Sequence, residues 1–172
     1  MGNFDKAVEF VLQNEGGWQK NPDDPGNWRN GKLIGTKYGI SAKYFPDVDI
    51  ENLTVEQAKE IYHDSCWHGS ICKDLPDKLA AIYFDAIVNM GLQRASKVLQ
   101  HSCNRIVGAD YLSVDGLVGS HTRETLNMIL QWTPDSFVNV FIIERIREYI
   151  YGRDATKDEY LSWIRRSIKL AD

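Results

Sequence analysis

The stretch from Leu79 to Met90 places apolar residues on nearly every side of a helix, interrupted only by Asp85 and Asn89. A helix of that kind persists in water only when other helices enclose it, so the rest of the chain must build a bundle around it. Apolar periodicity predicts those neighbours: helices near residues 4–15, 55–66, 76–90, 94–106, 121–131, 135–151 and 158–169, with a loop-rich or short-stranded region between Gly16 and Pro46. Local chemistry marks the boundaries. Thr54 with Gln57 has a capping-box pattern, Thr133-Pro134 reads as a cap followed by a first-position proline, and Gly91, Gly108 and Gly152 stand just past predicted helix ends. The expected fold is mainly α, with a short loop or β region after the first helix and a helical C-terminal lobe. Its two lobes, residues 1–92 and 93–172, are expected to pack against each other, as separate lobes or as one compact unit.

Asp85 and Asn89 lie four apart on the central helix and share a face. Each needs hydrogen-bond partners if it is buried, or a polar cleft to look into.

The 172 residues suffice for a substantial core, and 43% hydrophobic against 26% charged residues is a globular composition. The net charge of -4, with both signs interspersed, lacks the concentrated basic footprint that nucleic acid or anionic membrane requires. Neither partner is expected. The start Met1-Gly2-Asn3-Phe4-Asp5 has no basic n-region or apolar h-region, so no signal peptide is expected, and no run is long enough for membrane insertion. Cys66, Cys72 and Cys103 are an odd number, which points to reduced, mostly buried thiols. His63, Cys66, His68 and Cys72 are ligand types whose spacing matches no zinc pattern, so no metal is expected.

Phe4, Val8, Val11 and Leu12 form a stripe at helical spacing, and Glu15 falls in the middle of it. Two arrangements follow. If the helix runs on, burial and the negative end of its dipole both disfavour a charged carboxylate there, the condition a general acid needs near neutral pH. If the helix stops earlier, Glu15 points outward from a loop. Gly16-Gly17-Trp18 follows, two residues that permit close backbone approach and an indole of the kind sugars stack on. Nine residues beyond Glu15, Asp24 sits in the turn-rich Asn21-Pro22-Asp23-Asp24-Pro25-Gly26, either as a second carboxylate across a cleft or as a simple loop cap. Paired carboxylates are the usual apparatus of glycoside hydrolysis.

Glu15-Gly16-Gly17-Trp18, then Asn21 to Gly26, then Thr36-Lys37-Tyr38-Gly39-Ile40-Ser41 and finally Phe84-Asp85-Ala86-Ile87-Val88-Asn89-Met90-Gly91 resemble, in order and spacing, the signature of the family-108 glycoside hydrolases, bacterial and phage N-acetylmuramidases. Val114 to Thr122, Glu144-Arg145, Tyr149, Trp163 and Arg166 resemble the helical peptidoglycan-binding region that accompanies the family. The resemblance covers nearly the whole chain. It departs at Trp18, where the family commonly has tyrosine, in a longer loop from Gly26 to Ile34, and, in the binding region, at Ser120-His121 and Ser162-Trp163.

The resemblance implies a lysozyme-like fold, a catalytic lobe over residues 1–92 and a peptidoglycan-binding lobe over 93–172. It implies that Glu15 protonates the glycosidic oxygen of the β-1,4 bond between N-acetylmuramic acid and N-acetylglucosamine, with no cofactor. By similarity to phage-type lysozymes, Asp24 and Thr36 would position a water, although Thr36 lies further along than that pattern has it. Trp18, Trp28 and Tyr38 are expected sugar platforms, and Asp23, Ser41, Asp85 and Asn89 further substrate contacts. The expected partner is the peptidoglycan glycan strand, reached from a bacterial or phage-infected cytoplasm through a holin, a secretion system or lysis. A lytic transglycosylase, or a non-catalytic wall-binding or secretion-accessory protein, would use the same residues differently.

Overall fold

A computed structural model describes residues 2–152 and 157–169. Residues 153–156 and 170–172 of the expected second lobe, and the initiating Met1, lie outside the described residues. Helix α1 spans Phe4–Asn14, α2 Val55–Tyr62, α3 Asp77–Met90, α4 Leu92–Val107, α5 Ser120–Trp132, α6 Pro134–Gly152 and α7 Lys157–Lys169. Between α1 and α2 lie two hairpins, β1 (Trp28–Arg29) with β2 (Lys32–Leu33) and β3 (Thr36–Lys37) with β4 (Ile40–Ser41), both antiparallel.

The capping box acts as expected. The Thr54 hydroxyl accepts from Gln57 N while the Gln57 side chain accepts from Thr54 N, which closes the box at the start of α2. Pro134 opens α6 directly after Thr133, and Gly91 and Gly108 end α3 and α4 with φ of 84° and 125°. Several boundaries differ. The helix expected over 55–66 ends its α-helical part at Tyr62, and His63–Trp67 continue as a π turn closed by His68 N donating to His63 O at 2.8 Å. Gly152, expected just past a helix end, is instead the last residue of α6.

Helix α3 is the enclosed one: Ala80, Ile82, Tyr83, Phe84 and Ala86 have no exposed surface, and α1, α4 and α6 pack around it. One continuous apolar core runs from Ala7 and Val8 of α1 through α3 to Phe141 and Tyr149 of α6, across both halves of the chain. Cys72 and Cys103 are buried free thiols, and burial pushes both up to about 12. Among the described residues no helix is long and apolar enough to cross a membrane.

Candidate active site

Helix α1 ends one residue before the carboxylate of interest. Glu15 has left the helical region, with φ −85° and ψ 137°, yet its N–H still donates to Val11 O at 2.9 Å. The side chain therefore swings off the end of α1 and is neither sealed in the apolar stripe nor free in solvent, with 20% of its surface exposed. A Cβ built on Gly16 or Gly17 would meet nothing within 4 Å, so the chain just after the acid borders open space.

The other side is closed by the β3–β4 hairpin. Tyr38 and Gly39 both have positive φ, 53° and 75°, the signature of a tight type I′ connection. That turn is pinned twice: Tyr38 N donates to Gly16 O at 3.2 Å, and the Tyr62 hydroxyl of α2 donates to Tyr38 O at 2.7 Å. Burial first, and then the negative charge at Glu15, push the Tyr62 phenol well above its ordinary range, so it stays a donor. The Glu15 carboxyl rests on Gly39, where a Cβ would stand 2.7 Å from Glu15 Oε2 and 2.5 Å from the Tyr62 hydroxyl. Gly39→Ala is thus expected to displace the acid as well as strain the turn. The strain costs about 1–2 kcal/mol, and a misplaced acid lowers turnover on the order of 100-fold. Thermal unfolding and glycan-cleavage rates measure the two effects, and full activity in this variant would show that the acid does not work from this position.

On its remaining side Glu15 meets a cation that periodicity does not reveal. Arg166 of α7 donates from Nη1 to Glu15 Oε1 at 2.7 Å. The same guanidinium donates from Nε and Nη2 to Asp85 Oδ1 at 2.8 and 2.6 Å, and Arg145 Nη2 of α6 takes Asp85 Oδ2 at 2.6 Å. Burial works against the Arg166 charge, but Asp85 and Glu15 outweigh it and hold the group well above its ordinary range. Asp85, expected as a substrate contact, is fully buried and both its oxygens are taken by arginines. Asn89, one turn along, is half-buried and accepts from the Tyr149 hydroxyl at 3.0 Å.

Asp24 and Thr36 are brought together indirectly. Asp24 caps the short turn Pro25–Asn27, its Oδ1 accepting from Gly26 N at 2.8 Å and its Oδ2 from Gln19 Nε2 at 3.4 Å. The Thr36 hydroxyl donates to Asn27 Oδ1 at 2.7 Å, and Gln19 and Thr36 exchange both main-chain hydrogen bonds at 2.9 Å. Asn27, fully buried, donates from Nδ2 to Gln19 Oε1 and Asn21 O. Gln19 and Asn27 are therefore the hub of this loop, and sequence reading missed both. Neither lies in an apolar period, and nothing in a turn-rich loop distinguishes a buried asparagine from a solvated one.

The remaining expected contacts divide by exposure. Trp18 and Trp28 are exposed, each tied at Nε1 to a carbonyl, Ile34 O at 3.4 Å and Pro22 O at 2.9 Å, and Lys20 lies 4.4 Å from the Trp18 ring centroid. Asp23 is exposed, its N–H donating to Asn21 Oδ1. Tyr38 is half-buried, its main chain held as described. Ser41, in β4, is buried with its side chain towards Gly26 and its hydroxyl lacking a partner among the described residues. Beside Glu15 a cavity of about 280 Å³ is lined by Asn14, Ser162, Arg165, Arg166 and Lys169, a cationic wall on a chain of net negative charge.

The model of the family described as Glycosyl hydrolase 108 matches residues 8–91, which include Glu15, the hairpins and α3. No curated protein matches the chain. Among solved structures it is similar to one titled "Structure of Brucella abortus SagA", at 21% identity and a TM-score of 0.66, over 98% of this chain and 95% of that one. That likeness extends over α4 to α7, beyond the family match, and concerns the fold, which is mainly α and lysozyme-like.

Proposed function

On the match of residues 8–91 to the glycosyl hydrolase 108 family model, we propose that the chain is an N-acetylmuramidase cleaving the β-1,4 bond between N-acetylmuramic acid and N-acetylglucosamine in peptidoglycan. The observation that carries the reading is the setting of Glu15. It is a carboxyl at the end of α1, backed by Arg166 and the Gly39 turn, with open space beside Gly16 and Gly17. As general acid it gives its proton to the glycosidic oxygen while the bond to the anomeric carbon breaks. Water then supplies the new hydroxyl at that carbon and gives up its second proton to Asp24 or to solvent. Asp24 and Thr36, joined through Gln19 and Asn27, are the groups we assign to orienting that water, and Trp18 and Trp28 the exposed platforms for sugar rings.

The net charge of the chain opposes the approach of an anionic wall polymer, but the site is locally different. Arg165 and Lys169 line a cavity with Asn14 and with Arg166, the partner of Glu15, and charges within about a Debye length act on a bound strand. We assign residues 93–172 to holding the wall, on their likeness to the peptidoglycan-binding region. The Asp115-Gly116 turn of that half is clamped by Gln100, which accepts from Gly116 N and donates to Asp115 Oδ1, both at 2.8 Å.

Mass spectrometry of the fragments released from purified peptidoglycan tests the reading. Reducing muramic-acid ends are expected. Anhydro-muramic ends, with Asp24→Ala as active as the wild type, would make the chain a lytic transglycosylase. Sedimentation with the wall and no fragments would leave a wall-binding protein without turnover.

A further inference from the structure

We propose that Arg166, on the last helix and outside the stretch that carries the family match, is a positioning residue for the acid: it sets the place of the Glu15 carboxyl and stabilises the negative charge left there as the proton departs. This rests on the reading of Glu15 given above. Arg166 makes three contacts of fixed direction, Nη1 on Glu15 and Nε with Nη2 on Asp85. Asp85 is itself immobilised, since Arg145 Nη2 holds its other oxygen and Arg145 Nε reaches the Tyr149 hydroxyl at 2.9 Å. Asp85 and Arg145 have no exposed surface and the Arg166 side chain is only 12% exposed. A planar guanidinium gripped through two nitrogens by a buried carboxylate has little freedom left, so its third donor presents itself to Glu15 in one place.

The charge count gives this geometry a chemical role. Two guanidiniums face two carboxylates, so the cluster is neutral with Glu15 ionised and carries one excess positive charge with Glu15 protonated. When the Glu15 O–H bond breaks and the glycosidic oxygen takes the proton, the negative charge appears against a cation already in position. Preorganised charge aimed where charge develops is an effective source of rate. The other groups facing Glu15 do not supply this. Tyr62 of α2 is neutral, the β3–β4 turn contributes Gly39, and Asp85 of α3 and Arg145 of α6 stand behind Arg166. Lys169 of α7 reaches Asn14 Oδ1 at 3.4 Å instead of the acid.

The test compares full-length wild type, Arg166→Met and Arg166→Lys on soluble glycan strands from acid to alkaline pH, with unfolding curves alongside. In both variants Asp85 keeps Arg145, so a folded chain is expected. Arg166→Met is expected to lose kcat on the order of 100-fold, with KM within about twofold of the wild type. Without the guanidinium the negative charge on the acid loses the cation that faces it, so the alkaline limb of the activity profile is expected to move to higher pH. Arg166→Lys, which keeps the charge without the fork, is expected to restore the limb and recover part of kcat. Wild-type rate and profile in Arg166→Met would overturn the proposal. So would a fall in kcat with an unmoved limb and no recovery in Arg166→Lys, because a merely structural role behaves that way. A wild-type chain that releases nothing in the same assay defeats the muramidase reading itself, and the role of Arg166 with it.

Discussion

Glu15→Gln is expected to fold as the wild type does and to cleave peptidoglycan about 10²–10⁴-fold more slowly, the range that a positioned general acid contributes. The substitution preserves shape. A glutamine oxygen still accepts from Arg166 Nη1, and the space against Gly39 is filled as before, so neither the hairpin nor α7 has reason to move. What is lost is the transferable proton. The comparison is made on initial rates of reducing-end release, with unfolding curves to show that the two proteins are equally folded. Retained activity would remove Glu15 from the mechanism and leave the family match without its acid.

Asp85→Ala is expected to be the most destabilising single change in the described structure. It leaves the fully buried Arg145 without its carboxylate and Arg166 with Glu15 alone, and breaking such a buried pair by removing one partner costs about 3–5 kcal/mol. In a chain of this size that corresponds to a fall in Tm of roughly 6–20 °C. The loss exceeds what removing Arg166 produces, because Arg145 is fully buried and has no route to water once its carboxylate is gone, whereas Arg166 has some. Denaturant and thermal unfolding of the two variants give the ranking directly. A change in Asp85→Ala of under about 1 kcal/mol would mean that the interior admits water at this point and that the ion cluster is not a structural keystone.

The two predictions meet at one residue. Asp85 contributes to stability through Arg145 and to the site through Arg166, so a chain that survives its loss would also be expected to hold Glu15 loosely. This coupling joins the two halves of the sequence. The match to the family ends at residue 91, yet α6 and α7 supply the cations behind the acid.

What was legible in the amino-acid sequence was what depends on near neighbours. The helices follow from periodicity, and their ends from caps that act across three or four residues, as at Thr54 and Gly91. The enclosure of α3 follows from its lack of a polar face, which no isolated helix tolerates. The prominence of Glu15 was legible too, because it breaks an apolar stripe.

Its surroundings were not. The sequence places Asp85 only as a polar residue on an apolar helix, and whether it faces sugar or arginine depends on partners 60 and 81 residues away. The Gln19–Asn27 hub and the Gly39 contact with the acid likewise exist only once α1, α2 and the hairpins are packed. Local propensity and periodicity are properties of a few consecutive residues. The electrostatics of a buried carboxylate belong to whichever groups the tertiary fold delivers to it, and that is why the sequence by itself determined the helices and pointed to the acid, while only the packed structure decided what holds that acid in place.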